Sequence, residues 1–438
     1  MKEEPKNKPA SANTKKEPLT SPKGMRDIMN EEYYLYQGFF EKAQEIAIYY
    51  GFNPIETPVL EQEEVFTSAI GIGTDVIDKE MYTLRTKGGD RLALRPEHTA
   101  PLMRAYIQHG MQTLPQPVLF YQYSPIFRHD NPQKGRYRQF WMFDLDALGS
   151  EKSIIDALII KTAMVILEES GAENLCIDIN SIGDKDCRPG YLKELTSYYR
   201  KHAHDLSAID RERLKTNPLR ILDSKDPKTI AINENAPDAV SALCNSCKHH
   251  FKEVLECLDE MGVSYRINKN LVRGLSYYTR TVFEIVGEPD ENGNTLSLGG
   301  GGRYDYLAKH LGSKKDIPAM GMAFGVERVI QSPWYKKHTP RILKKPKIYF
   351  IQLGVDAKLK SLNVIEILRK AKISIAQSIS KDSLGSQLAI AEQLGTPYTL
   401  IFGQKEALEN SVIVRDMATR SQETVSLDNL LEYIKKLK

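Results

Sequence analysis

Hydrophobic residues follow two different periods along this chain. Between residues 33 and 50 they recur at every third or fourth position, which predicts an amphipathic helix ending at Gly51. A second helix is predicted over Ser153–Glu169, between a serine at its start and Gly171 after its end. Short runs rich in aromatic and β-branched residues are typical of strands. The clearest such runs are PVLFYQYSPIF, YRQFWMFDLDALG, NLCIDINSIG and the two ends of LVRGLSYYTRTVFEI.

Glycine and proline refine these extended segments. Residues 81–85 and 91–95 are predicted to pair as a hairpin, because a Gly-Gly-Asp turn separates them. The segment NPIETPVLE predicts a short strand containing Pro58, a residue that suits a sheet edge or an interface. The segment GGGGRY, residues 299–304, is interpreted as a glycine turn between a strand and a helix.

The pattern also predicts how the chain is divided. Residues 1–20 are rich in Lys, Pro and Glu and predict a disordered tail. Residues 21–335 are predicted to form an α+β core. A polar, mainly helical insertion is predicted to interrupt this core at about residues 184–265. A Pro/Lys linker over residues 336–345 precedes strands that alternate with helices over residues 346–438, which predicts a separate α/β domain.

Composition narrows the function classes. The 438 residues are 41% hydrophobic and 27% charged, as in an ordinary globular protein, and no apolar run is long enough to predict a membrane span. A net charge of +3 neither requires nor excludes nucleic acid, so such a partner would need a local basic surface. The tail lacks the apolar segment of a secretory signal, and five irregularly spaced cysteines favour reduced thiols, so we expect a cytoplasmic protein.

Two arginine-bearing segments are the strongest candidates for chemistry. In LVRGLSYYTRTVFEI, Arg273 and Arg280 lie within an otherwise apolar, strand-like stretch, and burying an unpaired guanidinium costs several kcal/mol. This stretch therefore predicts an anionic ligand beside it. In FRHDNPQKGRYRQF, alternation predicts that Arg136, Arg138 and Phe140 share one strand face, with Arg128 returning nearby.

A cluster of arginines with one aromatic ring suits a phosphate chain that carries a flat base, although a solvated basic hairpin would give the same pattern. Neither a P-loop nor a dinucleotide-binding glycine fingerprint is present. A nucleotide would therefore bind on an antiparallel sheet through arginine clamps.

Three cysteines and two histidines are candidates for metal binding. Cys244 and Cys247 form a C-x-x-C motif followed by His249 and His250, and Cys187 lies 57 positions before Cys244. Because no second C-x-x-C is present, we interpret these residues as ordinary thiols on a helix and predict no metal site.

Several segments together resemble the class II aminoacyl-tRNA synthetases and, within them, the histidyl-tRNA synthetase family. The resemblance covers the chain from about residue 22 onward. TPVLE, FRHDNPQKGRYRQF and GMAFGVER resemble the three class motifs. LVRGLSYYTRTVFE and GGGRYD resemble the two peptides peculiar to the histidine family, and LRPEHTAP lies upstream of them.

The resemblance implies an antiparallel catalytic sheet, a C-terminal anticodon-binding domain, a homodimer and no membrane. It implies that ATP and Mg²⁺ activate L-histidine to histidyl-adenylate, whose acyl group then passes to tRNA(His). By resemblance, Arg128 and Arg273 hold the α-phosphate as catalytic residues. The other implied ATP ligands are Arg136, Arg328 and Phe140. The implied histidine ligands are Glu97, Thr99, Tyr278, Tyr304 and Arg273, and Gln133 is implied to face the tRNA acceptor end.

Three positions depart from the family pattern. Ser276 stands where aspartate is usual, Met142 where glutamine is usual, and His98 where glycine is common. The alternative function is that of a non-catalytic paralogue, either a regulatory subunit of histidine biosynthesis or a sensor of uncharged tRNA. The biosynthetic paralogue lacks the C-terminal domain and tends to lose the phosphate arginines, and this chain retains both features.

Overall fold

A computed structural model describes residues 18–71, 74–133, 135–289, 295–335 and 346–437. The chain divides into two compact units, Met1–Pro340 and Arg341–Lys438. Most of the predicted tail and the whole predicted linker lie outside the described residues. None of the helices in the described ranges combines the length and apolar content that a membrane span requires.

An eight-stranded sheet forms the centre of the first unit, in the order β1-β5-β6-β11-β10-β9-β7-β8. From β5 to β7 in this order, every two neighbouring strands are antiparallel. Only the two edge pairings, β1·β5 and β7·β8, are parallel. A separate sheet has the order β2-β4-β3. The strands are β1 (Asn53–Pro54), β2 (Leu60–Gln62), β3 (Thr83–Arg85), β4 (Arg91–Leu94), β5 (Val118–Phe127), β6 (Gln139–Leu148), β7 (Cys176–Ser181), β8 (Tyr265–Ile267), β9 (Thr279–Pro289), β10 (Thr295–Arg303) and β11 (Ala319–Gly325).

Helices cover both faces of the central sheet. They are α1 (Asn30–Tyr49), α2 (Glu63–Ile70), α3 (Thr99–Gln108), α4 (Ser153–Glu169), α5 (Arg188–Lys201), α6 (Ala208–Thr216), α7 (Pro227–Asn233), α8 (Asn245–Glu260), α9 (Leu307–His310) and α10 (Val326–Ile330). Short helical turns occur at Val76–Glu80, Met111–Thr113 and Pro218–Ile221. The predicted helices over residues 33–50 and Ser153–Glu169 correspond to α1 and α4, and the segment predicted to be a helical insertion contains α5 to α8.

Strand alternation separates the two faces of the sheet. In β6, Phe143, Leu145 and Ala147 join the core that contains α1 and α4, whereas Asp144 and Asp146 lie on the opposite face. The opposite face packs against α2, α3 and α5. We call it the site face, because the acidic residues that interrupt the apolar pattern lie on it.

The strand β10 is rich in glycine and lies between β9 and β11. A Cβ atom added to Gly300 would lie 2.9 Å from Nη1 of Arg273, and one added to Gly302 would lie 2.9 Å from Cδ1 of Tyr278. The glycines therefore let both side chains lie close to the sheet. The interpretation of this segment as a turn was wrong, because strand pairing on both sides outweighs the low strand propensity of glycine.

Two further local predictions need correction. NPIETPVLE does not form one strand: β1 ends at Pro54 and β2 begins at Leu60, so Pro58 lies outside both. In the second segment, β6 begins at Gln139, so Arg136 and Arg138 precede it and do not share a strand face with Phe140. The predicted hairpin is confirmed, with β3 and β4 pairing antiparallel across the Gly-Gly-Asp turn.

The second unit is an α/β domain with a five-stranded sheet, ordered β13-β12-β14-β15-β16. Its strands are β12 (Ile348–Gln352), β13 (Ile375–Gln377), β14 (Tyr398–Phe402), β15 (Ser411–Asp416) and β16 (Gln422–Ser426). Its helices are α11 (Val355–Lys370), α12 (Leu384–Leu394), α13 (Gln404–Glu409) and α14 (Leu430–Lys436), with a short turn at Leu427–Asn429. All five residues of β12 are buried, because α11 and α14 pack on one face and α12 on the other.

The close packing of β10 gives a stability prediction. A Gly302→Ala substitution places Cβ 2.6 Å from the carbonyl oxygen of Thr281, a backbone atom that cannot move aside. We expect a loss of about 1–3 kcal/mol, seen as a lower Tm of the first unit in calorimetry. Gly287→Ala is the matched control on β9, since its nearest neighbour would lie at 3.8 Å. Equal Tm values for the two variants would contradict this account of β10.

Candidate functional site

Arg128 lies where β5 ends, at one edge of the site face. Its Nε donates to the carbonyl oxygen of Pro96 at 2.8 Å, and its Cζ lies 5.7 Å from the ring centroid of Phe140. Phe140 belongs to β6 and pairs in register with Ile126 of β5. The hairpin formed by β5 and β6 therefore places a guanidinium and an aromatic ring side by side, as the sequence predicted for these two residues.

Arg273 lies above β10, next to Gly300. Its Nη1 donates to Oε1 of Glu284, a β9 residue on the site face. Burial alone would lower the pKa of the Arg273 guanidinium, but the neighbouring Tyr278 and Glu284 outweigh burial and raise it. Arg273 is therefore held as a fixed cation.

The four arginines proposed for phosphate binding share one electrostatic environment. Nη1 of Arg328, on α10, donates to the carbonyl oxygen of Ser297 at 2.9 Å. Burial and the like charges of Arg136, Arg273 and Arg128 lower the pKa of Arg328, and Glu284 opposes this effect. Three arginines from segments distant in sequence thus act on the Arg328 guanidinium, and an anion bound beside Arg328 would offset their charge.

A cavity of about 1060 Å³ adjoins this cluster. Arg136, Arg328, Glu284 and Gln133 line it, and it extends to the 222–225 segment of the insertion. A nucleotide-sized ligand therefore has space beside these two arginines.

The loop between β5 and β6 holds Gln133 and Arg136 in a tight turn. Gln133 N donates to the Arg136 carbonyl at 3.2 Å, and Arg136 N donates to the Gln133 carbonyl at 2.8 Å. Both side chains are exposed, and Arg136 pairs with Asp130 at 3.4 Å. Arg138 instead donates from Nε to the Asp130 carbonyl at 3.1 Å, so it braces the loop.

A second, buried part of the site lies beside α3. Glu97 accepts hydrogen bonds from the backbone N–H groups of Thr99 at 2.7 Å and Ala100 at 3.0 Å, so it caps this helix. The Tyr277 hydroxyl donates to Oε2 of Glu97 at 3.3 Å. Burial raises the pKa of the Glu97 carboxyl, while the bonds from Ala100 and Thr99 oppose the rise.

Tyr304 joins this pocket from the end of β10. Its hydroxyl donates to Oδ1 of Asp146 at 2.6 Å, and its ring meets that of Tyr277 edge to face at 5.9 Å. Burial and the neighbouring charge of Asp144 raise the pKa of Asp146 well above its usual range. Tyr277 and Tyr278 are also neighbours, with ring centroids 4.8 Å apart. The pocket therefore combines two carboxyl groups with three tyrosine hydroxyls.

Sequence reasoning missed Asp146, Glu284 and the direct role of Tyr277 beside Glu97. A signal was available in WMFDLDALG, where Asp144 and Asp146 alternate with apolar residues in a predicted strand. Buried carboxylates in such a strand require partners and so point to a site.

The three departures from the family pattern differ in their surroundings. His98 is buried, with Nε2 3.1 Å from Oγ of Ser124 and Nδ1 3.2 Å from Oδ1 of Asp144. The Ser276 hydroxyl donates to the Ile70 carbonyl, which ties its exposed turn to α2. Met142 is half-buried in β6, paired with Ser124 and Gly325. His98 thus adds a polar group to the buried network.

Two family models match the chain. A histidyl-tRNA synthetase model matches residues 24–329, and an anticodon-binding domain model matches residues 347–437. A histidine–tRNA ligase of Dehalococcoides mccartyi is 40% identical over 416 residues, which cover 95% of this chain and 99% of the relative.

Solved structures show the same similarity. The apo histidyl-tRNA synthetase of S. aureus has a TM-score of 0.78 and 29% identity, and the match covers 95% of this chain and all of that chain. A Bacillus halodurans chain, described as an ATP phosphoribosyltransferase regulatory subunit/histidyl-tRNA synthetase, has a TM-score of 0.61 at 20% identity. It covers 86% of this chain and 97% of its own length, which shows a shared fold alone.

Glu327 connects α10 to the rim of the site. Its carboxylate accepts from the backbone N–H of Trp141 at 3.0 and 3.1 Å and from the Tyr36 hydroxyl at 3.1 Å. Burial raises the pKa of Glu327 to about 7, although the bond from Trp141 opposes the rise. The folded state therefore holds a proton that the unfolded chain releases near its ordinary value of 4.5.

This raised pKa predicts how stability depends on pH. The contribution of the protonated carboxyl is full below the unfolded pKa of 4.5 and is lost as pH rises through about 7. Between these values the unfolding free energy of the wild type should fall by about 3 kcal/mol relative to Glu327→Gln. Denaturant unfolding across this range tests the difference. The exposed Glu212→Gln is the control, and parallel profiles for wild type and Glu327→Gln would rule out this assignment.

Proposed function

The chain belongs to the histidyl-tRNA synthetase family, and from this premise we propose that the arginine cluster is its ATP site and the buried tyrosine–carboxyl pocket its histidine site. The enzyme activates L-histidine with ATP and transfers the histidyl group to tRNA(His). The observation that supports the site assignment is that Arg136 and Arg328 line one cleft and that the charges of Arg128 and Arg273 also act on Arg328.

We propose that Arg128 and Arg273 contact the α-phosphate from two sides. In the first step, a carboxylate oxygen of histidine attacks the α-phosphorus and the bond to pyrophosphate breaks. Negative charge grows on the phosphate oxygens, and fixed cations stabilise it without reorganising. Arg136 and Arg328 would hold the β- and γ-phosphates, and the Phe140 ring would stack on adenine.

A magnesium ion fits this cleft. Glu284 lines the cavity together with Arg136 and Arg328, and Mg²⁺ commonly takes one or two carboxylates along with substrate phosphate oxygens and water. When bound, the ion would neutralise charge on the pyrophosphate leaving group. Glu284 also pairs with Arg273, so its carboxylate would contact both the guanidinium and the magnesium ion.

The histidine site follows from the hydrogen bonds of the buried pocket. The Glu97 carboxylate would receive the α-ammonium group, with Thr99 beside it at the start of α3. Because the Tyr304 hydroxyl donates to Asp146, its oxygen is free to accept the imidazole N–H. Tyr278, which lies beside Arg273, would pair with the other ring nitrogen. An amino acid without both groups would leave buried polar atoms unpaired.

Transfer to tRNA uses surfaces outside this pocket. The ribose hydroxyl of the acceptor end attacks the adenylate carbonyl and AMP leaves, and the exposed Gln133 would face this end. The second unit would bind the anticodon. Of its lysines, Lys358 pairs with Asp382 and Lys360 donates to the Ala407 carbonyl. Lys370 and Lys372 are exposed and suited to tRNA phosphates, although Nζ of Lys370 also lies 3.9 Å from Oε1 of Glu366.

We further propose a homodimer that works in the cytoplasm. Pro58 is exposed, and the adjacent Val59 and Leu60 are 37% and 43% exposed, which leaves apolar surface for a second copy. The free cysteines support a reducing compartment. The chain retains the arginine cluster and the second unit. Both features argue against the alternative function of a non-catalytic paralogue.

Arg273→Ala tests the site. It removes a fixed donor at the reacting phosphate, so histidine-dependent ATP–pyrophosphate exchange should fall at least about 100-fold, about 2.7 kcal/mol of transition-state stabilisation. The wild type should exchange with histidine and not with other amino acids. The control Arg91→Ala removes an exposed arginine that pairs with Glu63 and should leave the rate unchanged.

A near-normal exchange rate in the Arg273→Ala variant would show that Arg273 does not act at the α-phosphate. Absence of exchange in the wild type would instead favour the non-catalytic paralogue. Circular dichroism of each variant separates a lost contact from a lost fold.

Deletion of residues 341–438 tests the second unit. We expect tRNA charging efficiency to fall roughly 100-fold through loss of phosphate contacts, while exchange changes by less than about threefold. In the full chain, Lys370→Ala with Lys372→Ala should reduce the salt dependence of charging. Lys405→Ala, an exposed lysine of α13, is the matched control. Equal loss of exchange and charging would contradict an anticodon role.

A further inference from the structure

Two turns at the base of the insertion bring four potential metal ligands together. Asp184 and Cys187 precede α5, and Cys244 and Cys247 lie at the start of α8. One ligand atom from each residue lies within 4.8 Å of every other. Asp184 and Cys247 are buried, and the other two are half-buried. This arrangement gives three thiols and one carboxyl around a common centre.

Two contacts within the cluster can be compared with those of a metal site. Cys187 Sγ lies 3.5 Å from Oδ1 of Asp184, and Cys247 N donates to Sγ of Cys244 at 3.5 Å. Ligands at about 2.0 to 2.3 Å from a tetrahedral zinc ion lie about 3.5 to 3.8 Å apart. Modest movement of these side chains therefore produces the coordination geometry.

The surroundings also offset part of the negative charge that a metal-bound cluster would carry. Three thiolates, one carboxylate and a divalent ion leave a net negative cluster. Nη2 of Arg280 lies 3.5 Å from Oδ2 of Asp184, and the amino ends of two helices, α5 and α8, point their positive dipoles at the site. A Cβ on Gly183 would lie 2.7 Å from Sγ of Cys187, and its φ of +70° favours glycine at this turn.

The earlier interpretation of these residues as ordinary thiols required a second C-x-x-C motif. The structure supplies its equivalent, because the Asp184-x-x-Cys187 turn faces the Cys244-x-x-Cys247 turn. We propose that these four residues bind a structural zinc ion. Four protein ligands leave no open coordination position, so the ion has no catalytic role.

A bound zinc ion would fix the insertion to the catalytic sheet. A metal cross-link between Cys187 and Cys244 restrains the 188–243 segment in the unfolded chain and fixes its two ends in the folded one. Arg188, next to Cys187, donates from Nη1 to the Tyr278 carbonyl at 2.8 Å. The ion therefore anchors the segment that supports the tyrosine of the proposed histidine site.

Metal content of the full-length protein tests the proposal. After purification in reducing, chelator-free buffer, mass spectrometry should find about one zinc ion per chain. Exchange for cobalt should give sulfur-to-cobalt charge-transfer absorption and the strong visible bands of tetrahedral Co²⁺. Cys244→Ser should lose most of the metal. Cys176→Ser and Cys257→Ser, which alter the two cysteines outside the cluster, should retain it.

Thermal unfolding gives a second measurement that does not depend on the variants folding well. A strong chelator should lower the Tm of the wild type by several degrees, and added zinc should restore it. The proposal is overturned if wild-type protein reconstituted with zinc under reducing conditions holds less than about a tenth of an ion per chain. Equal metal content in Cys244→Ser and Cys257→Ser, or a disulfide within the cluster in place of metal, overturns it as well.

Discussion

The like charges of Arg128, Arg136 and Arg273, which together with burial lower the pKa of Arg328, are the constraint around which the proposed ATP site is arranged. Three of these four cations are each held by a separate acceptor. Arg128 uses the Pro96 carbonyl, Arg273 uses the Glu284 carboxylate, and Arg328 uses the Ser297 carbonyl. In the proposed ATP site a bound triphosphate would relieve this repulsion, so the repulsion would contribute to ligand affinity.

The sheet makes this arrangement possible because its two faces have different chemistry. One face buries Phe143, Leu145 and Ala147 against helices and supplies the hydrophobic stabilisation. The other face holds buried carboxyls, whose desolvation raises the pKa of Asp146 and Glu97. Their stability cost is offset by the apolar layer behind them. The glycines of β10 complete the surface, because side chains there would occupy the space of Arg273 and Tyr278.

Much of this was predictable from sequence where the signal was local. The spacing of apolar residues predicted α1, a serine and a glycine at its two ends predicted α4, and the Gly-Gly-Asp turn predicted the hairpin. Arginines in apolar surroundings indicated an anion. The errors arose where distant contacts decide the structure. β10 resembled a turn because glycine has low strand propensity, and its two neighbouring strands override that preference. Arg138 alternates with Phe140 in sequence, yet the strand begins after it.

The metal-ligand cluster was missed for a related reason. It brings together two segments of the insertion that the sequence analysis did not connect. Its halves are separated by 57 positions, and one half carries an aspartate where the familiar motif has cysteine. Both halves meet beside Arg280, whose N–H donates to the Gly183 carbonyl at 2.8 Å. The sequence places Arg280, like Arg273, in apolar surroundings. In the structure Arg280 pairs with a different carboxylate, that of Asp184. The insertion is thus held to β9 by the same peptide that supplies Arg273 and Tyr278, so its stability and the geometry of the proposed histidine site depend on common contacts.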